Sequence, residues 1–315
     1  MTFSNYLTVP VILLAAVVLD YFLGDPAKWH PLAGFGRLAN WLELQMHKTD
    51  FNGEPDIVMR AKGAAALTFL IMPFIMLSVA LTSISSWGIA FQIVLVYFAL
   101  GATSLTQHAR AVSAAFKTGD LEQARWCVGM IVSRDTTNMQ ATEISKATIE
   151  SVLENGSDAI FAAIFWFLLL GAPGIVMYRL ANTLDAMWGY RNQRYLHFGW
   201  AAARFDDLLN WLPARLTALT YTLLGNRRLA WRCWHTQAKY WYSPNAGPVM
   251  AAGAGALSLE LGGPASYDGA TKYRPILGEG PQPQPVDIDR AVILVQRGLV
   301  LWILLALITG LIIHA

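Results

Sequence analysis

From Gly63 to Ala109 the chain runs for 47 residues without a Lys, Arg, Asp or Glu. A stretch that long and that uncharged fits two membrane crossings of roughly 20 residues with a tight turn between them. The spacing places them at about Ala64–Leu81 and Trp87–Leu105, joined by Thr82–Ser86. Pro73 lies inside the first, where membrane helices tolerate it. The composition agrees: 55% of the 315 residues are hydrophobic and 14% are charged, against about 25% charged in soluble domains. A net charge of +2 argues against nucleic-acid binding. Cys127 and Cys233 stand far apart, so neither a disulfide framework nor a zinc knuckle is indicated.

Two further apolar stretches read as spans, Leu7–Gly24 and about Gly298–Ile313. A signal peptide is the alternative for the first, but no basic residue precedes it and no A-x-A cleavage pattern follows. Asp20 interrupts it at a cost of about 2.5–3.5 kcal/mol at mid-bilayer, and its place one turn from the end lets it reach the interface. The loops Asp25–Lys62 and Thr106–Asp158 each hold five basic residues, so both belong in the cytoplasm. Ala159–Tyr178 is also apolar, yet Arg179–Arg297 carries thirteen Lys or Arg. A full crossing there would put the most basic region outside. The run Ala159–Leu170 ends in the breaker Gly171-Ala172-Pro173-Gly174, and its dozen residues reach only about 18 Å. A broken, re-entrant or interfacial pair of half-helices keeps all 23 basic residues on one face.

The expected fold is all-α: a polytopic helical membrane protein with a large cytoplasmic helical region that contains broken or re-entrant apolar segments. Its organisation is an N-terminal membrane region over 1–105, a cytoplasmic or interfacial catalytic region over 106–290 and a C-terminal span over 291–315. Ser243–Gly263 is too glycine-rich for a span, and Pro281-Gln282-Pro283-Gln284-Pro285 reads as an extended linker.

Three constellations carry chemistry. Glu143, Glu150, Glu154 and Asp158 share a helix face at i, i+7, i+11 and i+15. Like charges so placed repel, which suits a cation such as Mg²⁺ with phosphate; a solvated helix face is the bland alternative. Asn155 and the upstream Arg134-Asp135-Thr136 favour the former, the triplet capping a helix while presenting a phosphate ligand. The second, Asn182–Arg215, sets Asn182 and Asp185 on one face, Arg191 and Arg194 after a Gly189-Tyr190 turn, and Arg204, Asp206, Asp207, Asn210 and Trp211 at helical spacings. Its Asp-Asp-x-x-Asn run resembles diphosphate–Mg²⁺ motifs; exposed carboxylates are the commoner explanation. The third comprises Ser243–Gly247, Leu261-Gly262-Gly263 and Tyr267-Asp268-Gly269, loops able to cradle an anion or to be simple turns. Arg227, Arg228, Arg232 and Lys239 interleave with Trp231, Trp234 and Trp241, as in an interfacial amphipathic helix. No P-loop, G-x-S-x-G or H-E-x-x-H occurs, and the six histidines lack ligand spacing.

Taken together these residues resemble the adenosylcobinamide-phosphate synthase family, membrane proteins of cobalamin biosynthesis. The matching blocks are Leu19-Asp20, Gly24-Asp25-Pro26, His30-Pro31, Gly36-Arg37-Leu38, Arg134-Asp135-Thr136, Glu150 and Glu154-Asn155-x-x-Asp158. They continue through Asn182-Thr183-Leu184-Asp185, Gly189-Tyr190-Arg191-Asn192, Phe198-Gly199-Trp200, Ala203-Arg204-x-Asp206-Asp207, Asn210, Pro213-Ala214-Arg215, Ser243–Gly247 and Leu261-Gly262-Gly263. The resemblance implies an ATP- and Mg²⁺-dependent ligase on the cytoplasmic side of the inner membrane. It would join a carboxylate of adenosylcobyric acid to the amine of aminopropanol or its phosphate, through an acyl phosphate.

The same resemblance implies the roles. Glu150, Glu154, Asp185 and Asp207 are the expected catalytic carboxylates, with Glu154, Asp158 and Asp206 on the metal. Arg134, Asp135, Thr136, Asn155, Asn182, Arg191, Arg194, Arg204, Asn210, Arg215 and Asn245 are the expected substrate and phosphate ligands. No D-x-H-x-x-G motif occurs, so cobalt ligation by a protein histidine is not supported. A non-catalytic sensor of the same family would be expected to lack the Arg-Asp-Thr and Asp-Asp-x-x-Asn blocks, and an intramembrane prenyltransferase needs about twice the spans counted. Partners are the bilayer and these substrates, without nucleic acid; the small-residue stretch Gly247–Leu261 packs helices within one chain or between copies.

Overall fold

The computed structural model describes residues 7–26, 30–46, 55–84, 87–267 and 270–314. Asp268 and Gly269 of the third constellation, and the end of the Thr82–Ser86 turn, lie outside them. Among the described residues twelve α-helices carry the fold, and the only strands form two two-stranded ribbons. The chain divides into two compact units. Unit 1 comprises residues 1–100, 162–210 and 306–315; unit 2 comprises 101–161 and 211–305. The N-terminal membrane region thus shares a unit with the segment 162–210.

In unit 1, α1 (Thr8–Leu23) forms where the first span is expected, but its 16 residues make it a shorter apolar helix than a crossing of roughly 20 needs. Asp20 is only 2% exposed, so it turns into the protein instead of reaching for an interface. The His30-Pro31 pair starts α2 (Pro31–Met46): the His30 Nδ1 accepts the Leu32 N–H at 3.2 Å, and Pro31 occupies the first turn, where its missing N–H costs nothing. The apolar stripe of α2 buries Phe35, Ala39 and Glu43, four residues apart. Helix α3 (Asp56–Thr82) contains Pro73. Only 22% of its most apolar window is buried by protein, and Phe69 and Met76 stand exposed. A helix that apolar and that uncovered needs lipid around it. After the turn, α4 (Gly88–Ala99) packs against α1 and the long α8. The expected span Trp87–Leu105 is interrupted: Leu100 is extended, with φ −80° and ψ 144°, and the chain resumes as a new helix.

Helix α8 (Ala162–Trp188) breaks where the Gly-Ala-Pro-Gly sequence predicts, at a single residue. Gly171 adopts φ 68° and ψ −152°, a conformation open essentially to glycine. Beyond the break Tyr178, Leu184 and Trp188 fill the core of unit 1. The segment 189–199 then leads into α9 (Trp200–Leu224).

In unit 2, α5 (Ala102–Lys117) and α6 (Leu121–Gly129), the latter capped by Asp120, pack against α7 (Ala141–Gly156). A π-helical turn over Ser157–Phe161 follows α7. Helix α10 (Arg227–Gln237) buries Ala230 and Cys233 and leaves Trp231 in the open. It lies on α11 (Ala246–Leu257), every residue of which is buried. Gly255 meets the backbone of Ala230 there, leaving no room for a Cβ. The small-residue stretch therefore packs helices within the chain. The ribbons β1–β4 (Leu261–Gly262 with Ile276–Leu277) and β2–β3 (Ala265–Tyr267 with Ala270–Lys272) precede α12 (Pro285–His314). Pro285 opens that helix, so the proline-rich linker is extended only up to Gln284. Four stretches, Asp56–Thr82, Gly88–Lys117, Ala141–Trp188 and Pro285–His314, have the length and hydropathy of membrane spans.

Candidate functional site

The Asn182–Arg215 constellation assembles in unit 1 as far as Asn210. Asp206 is 8% exposed and lies between two amides. Its Oδ1 accepts from Asn182 Nδ2 at 3.3 Å and its Oδ2 from Asn210 Nδ2 at 2.9 Å. Asn210 Oδ1 in turn accepts the Tyr178 hydroxyl at 3.0 Å, and Asn182 Oδ1 accepts from Arg179 at 3.4 Å. This ladder fixes the faces of α8 and α9 on each other. Burial, reinforced by the charge of Asp185, pushes the Asp206 carboxyl up to about 7, against the opposing pull of the two amides. Asp206 is expected on the metal; both of its oxygens already accept hydrogen bonds from the two amides, so it sits as a buried, amide-held carboxyl beside Asp207.

Asp207 faces a cavity of about 370 Å³ whose wall includes Arg60, Arg191, Arg204, Tyr195, His197 and Trp200. Burial raises its pKa, opposed by Arg204, 3.9 Å away, and by Arg191. The two arginines of the intervening segment part company here. Arg191 lines the cavity. Arg194, expected on phosphate, instead forms a two-pronged pair with Glu43, Nε to Oε1 at 2.9 Å and a terminal nitrogen to Oε2 at 2.8 Å. Glu43 is 1% exposed, so Arg194 neutralises a buried carboxylate and ties the segment to α2.

In unit 2 the acidic helix face separates into different environments. Glu143 is the capping residue of α7, accepting the Gln140 N–H at 2.8 Å. The helix thus begins at Ala141, and the Arg134-Asp135-Thr136 triplet does not cap it. Asp135 closes a local turn instead, accepting from Thr137 N at 3.0 Å and Thr137 Oγ1 at 2.6 Å, which lowers its pKa. Thr136 packs its side chain against Gly129.

Glu150 is 2% exposed and fully engaged. Its Oε2 takes Arg274 at 2.9 Å and also Arg134; its Oε1 takes Arg274 at 3.2 Å and the Gly262 N–H at 2.7 Å. The Leu261–Gly263 loop does cradle an anion, and the anion is the protein's own; Gly262 needs φ 74° to aim its N–H there. Glu154 follows one turn on, half-buried, with Asn155 bonded back to Ser151 at 2.9 Å. Asp158 stands in the π-helical turn, whose extra residue shifts the register. Among the described residues no three His, Cys, Asp or Glu stand close enough to enclose a metal ion. A magnesium that keeps its waters and shares a phosphate asks for only one or two carboxylates, and Asp207 among cavity arginines fits that demand.

A second cavity, of about 310 Å³, is lined in unit 2 by Arg134, Asp135, Asn138, Thr142, Lys146 and Gln282, among others. Arg215 and Asn245, expected on substrate, clasp each other: Arg215 donates to Asn245 Oδ1 at 3.1 Å, Pro244 O at 3.2 Å and Trp211 O at 2.6 Å, with its guanidinium 4.5 Å above the Trp211 ring. Burial lowers its pKa. Sequence reasoning missed Glu43, Arg60, Lys146, His197 and Arg274. Glu43 alone left a signal, as a carboxylate on the buried stripe of α2.

A family model described as CobD/Cbib protein matches residues 13–295. Among curated proteins, the cobalamin biosynthesis protein CobD of Chromobacterium violaceum is 59% identical over 300 residues, covering 95% of this chain and 96% of that one. Proteins of the same name from Stutzerimonas stutzeri and Mycobacterium tuberculosis are 52% and 38% identical, the former covering 94% of this chain and 96% of the relative, the latter 92% of each. No solved structure matches.

Proposed function

The chain belongs to the CobD/Cbib protein family, and from that membership we propose that it is an amide-forming enzyme of cobalamin biosynthesis. It joins a carboxylate of adenosylcobyric acid to the amine of aminopropanol or its phosphate, with ATP and Mg²⁺, on the cytoplasmic side of the membrane. ATP would supply the phosphoryl group that turns the carboxylate into an acyl phosphate, leaving as ADP, and magnesium would neutralise charge on the phosphates. Arg191 and Arg204 hold phosphate oxygens as fixed cations. Asp207, at the same cavity, would hold the metal or orient the incoming amine. Asp206 is a positioning residue: while protonated it keeps a second negative charge from building up behind Asp207, and Asn182 and Asn210 hold it in place.

The observation that carries this reading is the cavity of unit 1, where Arg60, Arg191 and Arg204 meet Asp207 with Asp206 behind it. The test is amide formation by detergent-purified protein given adenosylcobyric acid, either amine, ATP and Mg²⁺. The expected result is amide with ATP consumed in step, and a loss of at least about 100-fold in Asp207→Asn, the scale of a removed electrostatic contact. If neither amine supports ATP consumption, the ligase reading fails. If Asp207→Asn keeps the wild-type rate, the residue assignment fails.

A further inference from the structure

The 370 Å³ cavity of unit 1 contains two residues that no motif marks, Arg60 and His197. Both come from the contact between the start of α3 and the segment leading into α9. Gly63, three residues after Arg60, abuts the backbone of Phe198 with no room for a Cβ, which clamps the two together. The Arg60 guanidinium lies 5.5 Å over the Trp200 ring, and His197 Nε2 stands 3.3 Å from Asp56 on the same helix. Yet Arg60 Nε and His197 Nδ1 are buried without a hydrogen-bond partner among the described residues. A buried donor left unpaired is rare in native proteins, because it forfeits the hydrogen bond that water would give it. Arg60 Nε can donate to a bound anion as it stands, and His197 Nδ1 donates to one only in the doubly protonated ring, whose Nε2–H faces Asp56. The charges are unbalanced too. Among the described lining residues, the guanidiniums of Arg60, Arg191 and Arg204 stand against the carboxylate of Asp207, with Asp56 facing His197 at the edge. The neighbouring Arg194, by contrast, has its own buried counter-ion.

We infer that this cavity is a phosphate-binding cradle in which Arg60 and His197, together with Arg191 and Arg204, hold the phosphate group of a larger ligand. The cradle rests on the ligase reading only for the identity of one source, the nucleoside triphosphate. The other source of the same chemistry is a phospholipid headgroup, since Arg60 lies one turn into a helix with the properties of a membrane span. The cavity volume suits a small molecule and exceeds what a lone phosphate needs.

Full-length protein in dodecyl maltoside, which carries no phosphate, is titrated with ATP and with inorganic triphosphate, and separately supplied with phosphatidylglycerol vesicles while its thermal midpoint is followed. The variants are Arg60→Ala, Arg60→Lys and His197→Gln, with Arg228→Ala on the exposed face of α10 as the control. The expected result is at least a tenfold rise in Kd for both ATP and triphosphate in Arg60→Ala, part of it recovered in Arg60→Lys, a smaller rise in His197→Gln and none in Arg228→Ala. If neither soluble probe binds but phosphatidylglycerol raises the midpoint of wild type and not of Arg60→Ala, the same cradle holds a lipid phosphate. If Arg60→Ala matches wild type with all three probes, or wild type responds to none, the inference is overturned. ATP-driven amide formation alongside an unaltered Arg60→Ala affinity sinks the cradle and spares the ligase; Arg60-dependent triphosphate binding without ATP turnover does the reverse.

Discussion

Glu150→Gln separates a structural carboxylate from a catalytic one. The side chain is 2% exposed, and Arg274 opposite it has a side chain exposed to the same 2%. Gln keeps the shape and still accepts the Gly262 N–H, so the substitution removes charge and little packing. It leaves Arg274 buried without a counter-ion, while Arg134, 11% exposed, recovers some hydration. Breaking a buried pair by removing one partner costs about 3–5 kcal/mol. At about 2–4 °C per kcal/mol, that lowers the apparent melting midpoint by roughly 6–20 °C. Arg274→Met removes the opposite partner but leaves Glu150 with Arg134 and the Gly262 N–H, so its cost falls to about 1–3 kcal/mol. The assay is thermal unfolding of the detergent-solubilised variants, with amide formation measured well below the midpoint. A Glu150→Gln protein that melts like wild type and yet makes no amide refutes this reasoning and returns Glu150 to the catalytic set.

Asp206→Asn tests the buried acid. The Asp206 pKa is raised in the folded state, so its contribution to stability is complete below the unfolded value near 3.8 and is lost as pH rises through about 7; the variant should show a flatter dependence of melting midpoint on pH between these limits, and an unchanged slope sinks the assignment. Arg194→Ala removes the two-pronged partner of the buried Glu43 and should lower stability by about 1–3 kcal/mol, a figure reduced by the partial exposure of Arg194, whereas Arg191→Ala should melt like wild type and lose amide formation; the opposite pattern contradicts their separation. Gly171→Ala places a Cβ where φ is 68° and should cost about 1–3 kcal/mol in the unfolding midpoint. A cysteine placed at Gln193 should react with an impermeant maleimide only in inside-out vesicles; labelling of intact cells overturns the re-entrant topology.

What the sequence made legible was local or excluded. Absent charge marked the spans, because lipid-facing charge is expensive. The Gly-Ala-Pro-Gly breaker located the kink of α8, and i,i+4 spacing found the Asp206–Asn210 pair. The failures share a cause: their partners are far apart along the chain. Arg194 and Glu43 are 151 positions apart and Glu150 and Arg274 are 124 apart, so local spacing could not reveal that both carboxylates were already neutralised. Arg134 and Arg194 had the residue type of phosphate ligands, but their partners are internal. The acidic stripe assumed one helical period, and the π-helical turn at Ser157–Phe161 broke it.

Phosphoryl transfer onto the corrinoid carboxylate is the step we propose to drive amide formation. Adenosylcobyric acid labelled with ¹⁸O in its free carboxylate tests it directly, with purified protein, amine, ATP and Mg²⁺. One labelled oxygen is expected in inorganic phosphate for each amide formed. Label recovered in AMP, or amide made while phosphate stays unlabelled, contradicts the claim.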